Sequence, residues 1–170
     1  MKRRGILTST VGMLATNRGL ADEKPLLRKS ILGTWSLTEA VTVTGNETST
    51  WFGRQNPISG LIMYGDGGHM SVQISGSRPG IIGWADYDSL HSEQKFGWLK
   101  EYYAYYGTFE VDEATKIVTH HVTDSLLPFE RSASLRRKCE LQGDTLTLLT
   151  EPRGAEGRTS YNRLLWKRLV

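Results

Sequence analysis

Short segments that alternate apolar and polar residues, separated by tight turns, constrain the fold of this chain more than any other feature. Three hairpins are indicated, over 61–74, 103–123 and 132–150. Alternation puts successive side chains on opposite faces of a strand, and the Asp66-Gly67 pair supplies the positive φ that a hairpin turn requires. Further strands are predicted at 31–43, 49–52 and 159–169, which brings the total to about eight or nine. We therefore predict an all-β domain, closed into an antiparallel up-and-down barrel because closure removes exposed strand edges.

The segment between the first two hairpins departs from the alternation. Ser92 is a residue type that caps helices, and Phe96 and Leu99 fall on one face of a single short helix predicted over 93–102. Residues 75–87 are rich in Gly, Pro and Ser and are predicted to form a loop. Helix and loop together are expected to roof one end of the barrel.

Length and charge exclude several classes of partner. A chain of 170 residues is typical of one domain and buries a core without disulfides, and the single Cys139 cannot form one internally. The net charge is only +3, and the basic run 136–138 alternates between the two faces of a predicted strand, so no nucleic-acid partner is expected. No segment is long and apolar enough to span a membrane. The oligomeric state is left open.

Metal and cofactor sites are not expected either. His120 and His121 are adjacent in a predicted strand, so their side chains point to opposite faces and cannot chelate one ion. The sequence has no phosphate loop, dinucleotide fingerprint or nucleophile elbow.

The first residues have the layout of an export signal. The start Lys2-Arg3-Arg4 precedes a short, mildly apolar stretch, and Gly19-Leu20-Ala21 resembles a cleavage site. Paired arginines suggest the twin-arginine type. We predict a signal peptide over 1–21, a charged lead-in over 22–30 and the barrel over 31–170, hence a periplasmic or secreted protein. A disordered arm on a cytoplasmic protein is the alternative.

Several separated motifs resemble the bacterial and fungal lipocalin-like domain family. Gly33-Thr34-Trp35 is similar to the Gly-x-Trp opening of lipocalins and other calycins, and the resemblance continues through 61–64, 69–71, 103–112, 118–122 and 163–168. It implies a calycin barrel with an internal pocket, in which Trp35 stacks on Arg163 or Arg168 of the last strand. It implies little about activity, since related barrels serve as carriers or as cyclases and isomerases of secondary metabolism.

Strand parity supplies a candidate site. The residues sharing a face with Tyr105 are mostly apolar, as are those sharing a face with His120, so both faces are predicted to be internal. Arg137 shares its parity with Leu135 and Cys139, so it points into the barrel if that face is internal, or lies at the rim if the strand end is wet. The predicted ligand contacts are Tyr103, Tyr105, Phe109, His120, Arg137 and Met63.

Three functions follow from this site. The leading hypothesis is a barrel that binds a small, largely apolar molecule of aromatic or polyketide-like type. The alternative is a cofactor-free isomerase or cyclase that uses His120 and Tyr105 as acid and base. The third is a purely structural or interaction protein. For His120 itself the alternative to a ligand or catalytic role is a core histidine satisfied by a tyrosine hydroxyl. A cavity of about 300 Å³ or more favours the first two, and a barrel filled by side chains favours the third.

Overall fold

The computed structural model describes residues 26–54, 58–78, 80, 82–154 and 159–169, and within these ranges nine antiparallel strands form one sheet. The strands are β1 (Gly33–Thr44), β2 (Glu47–Thr50), β3 (Ser59–Tyr64), β4 (His69–Ser75), β5 (Tyr102–Asp112), β6 (Ile117–Ser125), β7 (Ser134–Gln142), β8 (Thr145–Thr150) and β9 (Ser160–Arg168). The helices are α1 (Leu27–Ile31), α2 (Trp84–Ser89) and α3 (Ser92–Lys100), with short 3₁₀ turns at Trp51–Gly53 and Pro128–Glu130.

The sheet closes on itself as the alternation predicts. Neighbouring strands follow in the order β2-β1-β3-β4-β5-β6-β7-β8-β9, and β1 also pairs with β9. In the part of the chain that the structure describes, the closed barrel thus has eight strands, and β2 is an extra strand beside the second half of β1. The predicted antiparallel up-and-down barrel is confirmed.

Side chains alternate between the barrel interior and solvent along each strand. In β4, Met70, Val72 and Ile74 are buried while the residues between them are partly exposed. The same parity in β5 and β6 buries Tyr105 and His120, so the interior combines an aliphatic core with a few polar side chains.

Helix α1 closes one end of the barrel. Its Ile31 is fully buried, and the Ile31 carbonyl accepts a hydrogen bond of 2.8 Å from Trp35 Nε1. The Arg168 guanidinium lies 4.0 Å from the Trp35 ring centroid and donates to the Leu32 carbonyl. The stacking partner that the resemblance implied is therefore Arg168, whereas Arg163 pairs with a carboxylate on β1. We call this the closed end.

The Glu113 carboxylate, in the β5–β6 turn, fixes the start of α1. It accepts hydrogen bonds of 2.8 Å from the backbone N–H groups of both Leu27 and Arg28. Burial opposes ionisation of Glu113, but these two bonds and a contact with Lys116 outweigh it, and the pKa of Glu113 lies below its usual value. A turn far away in sequence thus supplies the cap that the helix lacks locally.

The helical prediction was partly wrong. Helix α3 matches the predicted helix, although His91 rather than Ser92 precedes its first residue. Helix α2 lies mostly within the segment predicted as a loop, and α1 lies at the end of the predicted lead-in. Neither α2 nor α3 lines the interior. Phe96 is 66% exposed and Leu99 49% exposed, because the few apolar side chains of this nine-residue helix do not form one face that could hold it over the barrel.

The second strand was predicted over 49–52. It lies instead at Glu47–Thr50, and the 3₁₀ turn Trp51–Gly53 follows it directly. The predicted signal peptide over 1–21 and the lead-in up to residue 25 lie outside the described residues. Among the helices that are described, none is long and apolar enough to cross a bilayer.

Candidate functional site

A small enclosed space lies inside the barrel, away from α1. Its walls are formed by inward-facing residues of β3 to β9 together with the two 3₁₀ turns. The volume of this cavity is about 40 Å³, which holds a few water molecules. That falls below the size expected of a ligand site, so in this conformation side chains fill most of the interior, as the third hypothesis predicts.

His120 sits at the centre of a buried hydrogen-bonded chain. Its Nε2 lies 2.8 Å from the Tyr64 hydroxyl and its Nδ1 lies 2.7 Å from the Tyr105 hydroxyl. We call these three residues the Tyr–His–Tyr chain. Only 1% of His120 is exposed. Burial, reinforced by the positive charge of Arg137, lowers the pKa of His120 well below its usual 6.5, so the imidazole is neutral. A neutral imidazole donates from one nitrogen and accepts at the other, so one tyrosine donates to the ring and the other accepts.

The two tyrosines of this chain are not equivalent. Tyr105 lines the cavity and Tyr64 lies outside its walls. Burial raises the pKa of Tyr105 to about 12, with the Arg137 charge acting in the opposite direction. Burial, with the neighbouring Tyr105, raises the pKa of Tyr64 well above its usual value. Of the two tyrosines, Tyr105 is therefore the one that can meet a ligand.

Tyr103 belongs to a second polar group on the wall. Its hydroxyl donates to the Glu130 carboxylate at 2.9 and 3.1 Å, and the Ser125 hydroxyl donates to the same carboxylate at 3.0 Å. Burial, with Tyr105 and Glu130 nearby, raises the pKa of Tyr103. Both Glu130 oxygens are thus engaged by neutral hydroxyls.

Trp51 covers the end of the cavity that faces away from α1. Its ring is 2% exposed and meets Tyr103 edge-on, with ring centroids 5.3 Å apart. The Arg54 guanidinium stacks on the Trp51 ring, 4.6 Å from its centroid, and lies 5.8 Å from the Tyr103 ring centroid. Phe52, the next residue, has a left-handed backbone with φ of 49°. We call this end, with Trp51, Phe52 and Tyr103, the mouth.

Two groups on the wall have unused hydrogen-bonding capacity. Arg137 is half-buried on β7, and its Nη1 donates to the neighbouring Arg136 carbonyl at 2.9 Å. It forms no ion pair within the described residues. Trp166 is 1% exposed, and its indole Nε1 finds no acceptor in the described part of the chain. Buried N–H groups of this kind are rare in folded proteins.

The structure brings four of the six predicted contacts together on the cavity wall: Tyr103, Tyr105, His120 and Arg137. Phe109 is buried but packs against Tyr64 outside the cavity, with ring centroids 4.8 Å apart. The prediction that Met63 contacts a ligand was wrong, because its side chain points outward and is 38% exposed. Residues 61–64 are apolar on both faces, which hides the parity, and it is Ile62 and Tyr64 that face inward.

Several site residues escaped the sequence reasoning. Tyr64 carries the inward parity of β3, so pairing Ile62 with the buried Trp35 could have identified it. Glu130, Trp51 and Trp166 reach the cavity from two turns and the last strand, and no local pattern marks them.

Comparison with known proteins gives a family for this architecture. A family model described as a lipocalin-like domain matches residues 32–169, which includes all nine strands described above. Among curated proteins no similar chain is found.

Proposed function

The chain belongs to the lipocalin-like domain family, and from this premise we propose that its barrel binds a small, largely apolar molecule of aromatic or polyketide-like type. Lipocalin-like barrels are in general suited to holding small molecules. One observation carries the proposal for this chain, which is the buried Trp166 N–H on the cavity wall without a described acceptor. A barrel that served only as a scaffold would place an aliphatic side chain there, since an unsatisfied buried donor costs about 1–3 kcal/mol.

The mouth has to move for such a molecule to bind. The cavity of about 40 Å³ is much smaller than a substituted aromatic ring. Trp51 covers the mouth through ring contacts with Tyr103 and Arg54, and the adjacent Phe52 holds a backbone conformation that costs about 1–3 kcal/mol. Displacing the turn Trp51–Gly53 would release this strain and add the volume of the indole ring to the cavity. Trp51 is accordingly proposed as the group that a ligand displaces.

A fluorescence titration with N-phenyl-1-naphthylamine tests this function. We expect saturable binding of one molecule per chain. Thr150→Phe, on the cavity wall, should weaken binding at least tenfold because the added ring occupies the cavity. Leu149→Phe, one residue earlier on the outer face of β8, is the matched control and should bind normally. Failure to saturate, or equal binding by both variants, would count against a ligand site in the barrel.

The Tyr–His–Tyr chain favours a second candidate, a cofactor-free isomerase or cyclase. Both nitrogens of His120 are occupied by tyrosine hydroxyls, so His120 would orient Tyr105 and exchange protons with it rather than touch the substrate. Tyr105 would donate or accept the proton at its hydroxyl oxygen. If this holds, Tyr105→Phe should reduce kcat about 100-fold or more with little change in affinity. If the barrel only binds, the same substitution changes affinity by about 1–3 kcal/mol and no conversion occurs.

A further inference from the structure

We propose that the cavity selects organic acids, with a carboxylate held by Arg137 and an apolar body extending inward toward Trp166. This inference rests on the proposed function and narrows its ligand class. It is carried by the pattern of paired and unpaired charges along β7, and by the position of the unpartnered indole N–H.

Arg137 differs from the basic residues on either side of it. On the outer face of β7, Arg136 lies 3.4 Å from a Glu151 oxygen and Lys138 lies 3.6 Å from a Glu140 oxygen. The inward Arg137 has no carboxylate partner in the described ranges, although it is the least exposed of the three. Its cross-strand neighbours are Val118 and Thr150, which offer no charge.

Among the described residues, one carboxylate lies on the cavity wall, and it does not neutralise this arginine. Glu130 accepts from the Tyr103 and Ser125 hydroxyls instead. Arg153 also faces the cavity from the rim and, as far as the structure describes the chain, forms no ion pair. In the part of the chain that the structure describes, two guanidinium groups therefore face the cavity against one carboxylate that is already engaged. One terminal nitrogen of Arg137 donates to the Arg136 carbonyl and the guanidinium also interacts with the Tyr105 hydroxyl, which leaves its remaining N–H groups for a carboxylate. A guanidinium is the side chain best matched to a planar carboxylate.

The opposite part of the cavity defines the rest of the ligand. Between the mouth and Trp166 the wall is formed by aliphatic side chains such as Ile62, Val72 and Leu148. Along β8, Thr150 lies opposite Arg137 and Leu146 lies opposite Trp166, so about 13 Å of strand separates the two positions. The apolar body of an aromatic acid held at Arg137 would therefore extend along β8 toward the indole N–H of Trp166.

Calorimetric titration with 2-naphthoic acid and its neutral analogue 2-naphthamide, at pH 7.5, tests the inference. The two probes share one ring system and differ in charge. We expect the wild-type protein to bind the acid at least tenfold more tightly than the amide. Arg137→Gln should abolish this preference by weakening acid binding at least tenfold, whereas Arg136→Gln on the outer face should keep it. Arg137→Lys preserves the charge without the planar fork, so a reduced preference is expected, and a melting curve checks that each variant is folded.

The outcomes separate the inference from the function beneath it. Equal binding of acid and amide by the wild type, or an acid preference that survives Arg137→Gln, overturns the selection of acids while leaving the binding function intact. If neither probe binds to the wild-type barrel, the proposed function fails and the inference fails with it.

Discussion

Replacement of His120 by Gln should remove most of the loss of stability that this protein suffers in mild acid. In the folded barrel both ring nitrogens are hydrogen-bonded and the imidazole is neutral, because burial and then the charge of Arg137 lower its pKa well below 6.5. In the unfolded chain the same histidine has a pKa of about 6.5. Below that pH the histidine is protonated in the unfolded state but stays neutral in the folded state, so the free energy of unfolding falls as the pH falls.

The size of the effect follows from this linkage. Each pH unit well below the unfolded pKa costs up to about 1.4 kcal/mol of unfolding free energy. This loss continues until the pH reaches the folded-state pKa of His120, which lies well below 6.5. Substitution by Gln also costs about 1–3 kcal/mol at neutral pH, because one tyrosine hydroxyl loses its partner. That cost does not change with pH. The slope of the unfolding free energy against pH therefore reports only the proton that His120 binds on unfolding.

Urea unfolding followed by tryptophan fluorescence, at half-unit steps from pH 4.5 to pH 7.5, measures this slope. His121→Gln is the matched control, since His121 is the next residue on β6 and faces outward near Glu110. We expect the control to keep the wild-type slope. An unchanged slope in His120→Gln would refute the assignment of the acid-sensitive proton to His120.

Further substitutions and one mass measurement test the rest of the structure. Trp35→Ala should lower the free energy of unfolding by about 3–5 kcal/mol in a denaturant titration, and a near-zero change would mean that the closed end is wrongly described. Gly107→Ala should cost about 1–3 kcal/mol in the same assay, because the added methyl overlaps the backbone carbonyl of the facing strand, whereas Gly97→Ala, with open space around it, should be neutral or stabilising. Glu113→Ala should cost about 1–2 kcal/mol, measured by thermal unfolding, through loss of the cap on α1; no loss would contradict the capping role. Mass spectrometry of protein from the native host should show that residues 1–21 have been removed, and an intact N-terminus would dismiss the export prediction.

The barrel was predictable because strands repeat with a period of two. Alternation located the three hairpins and, through parity, put Tyr105, His120 and Arg137 on the cavity wall. Parity gave the wrong face for Met63, where four apolar residues in a row remove the alternation on which the reasoning depends. Local helix propensity does not predict short helices such as α2, because tertiary contacts decide whether a six-residue helix forms.

The polar chemistry of the site could not be predicted in full. Tyr64 and His120 are 56 positions apart, and their hydrogen bond depends on how β3 and β6 face each other across the closed barrel. A sequence pattern reports which face a side chain occupies but not which side chain it meets across the interior. For the same reason neither the closure of the mouth by Trp51 nor the unpartnered N–H of Trp166 had a local signal.

The pairing of β1 with β9 has a consequence for how the chain reaches its native state. The hydrogen bond from Arg168 to the Leu32 carbonyl joins residues 136 positions apart. Strand β1 therefore cannot complete its pairing until β9 has been synthesised. A nascent chain still lacking β9 exposes two unpaired strand edges, which are the parts of a sheet most prone to aggregate. Contacts of such long range also slow folding, toward the range of about milliseconds to seconds. A truncated chain that ends before β9 should therefore aggregate more readily than the full-length barrel.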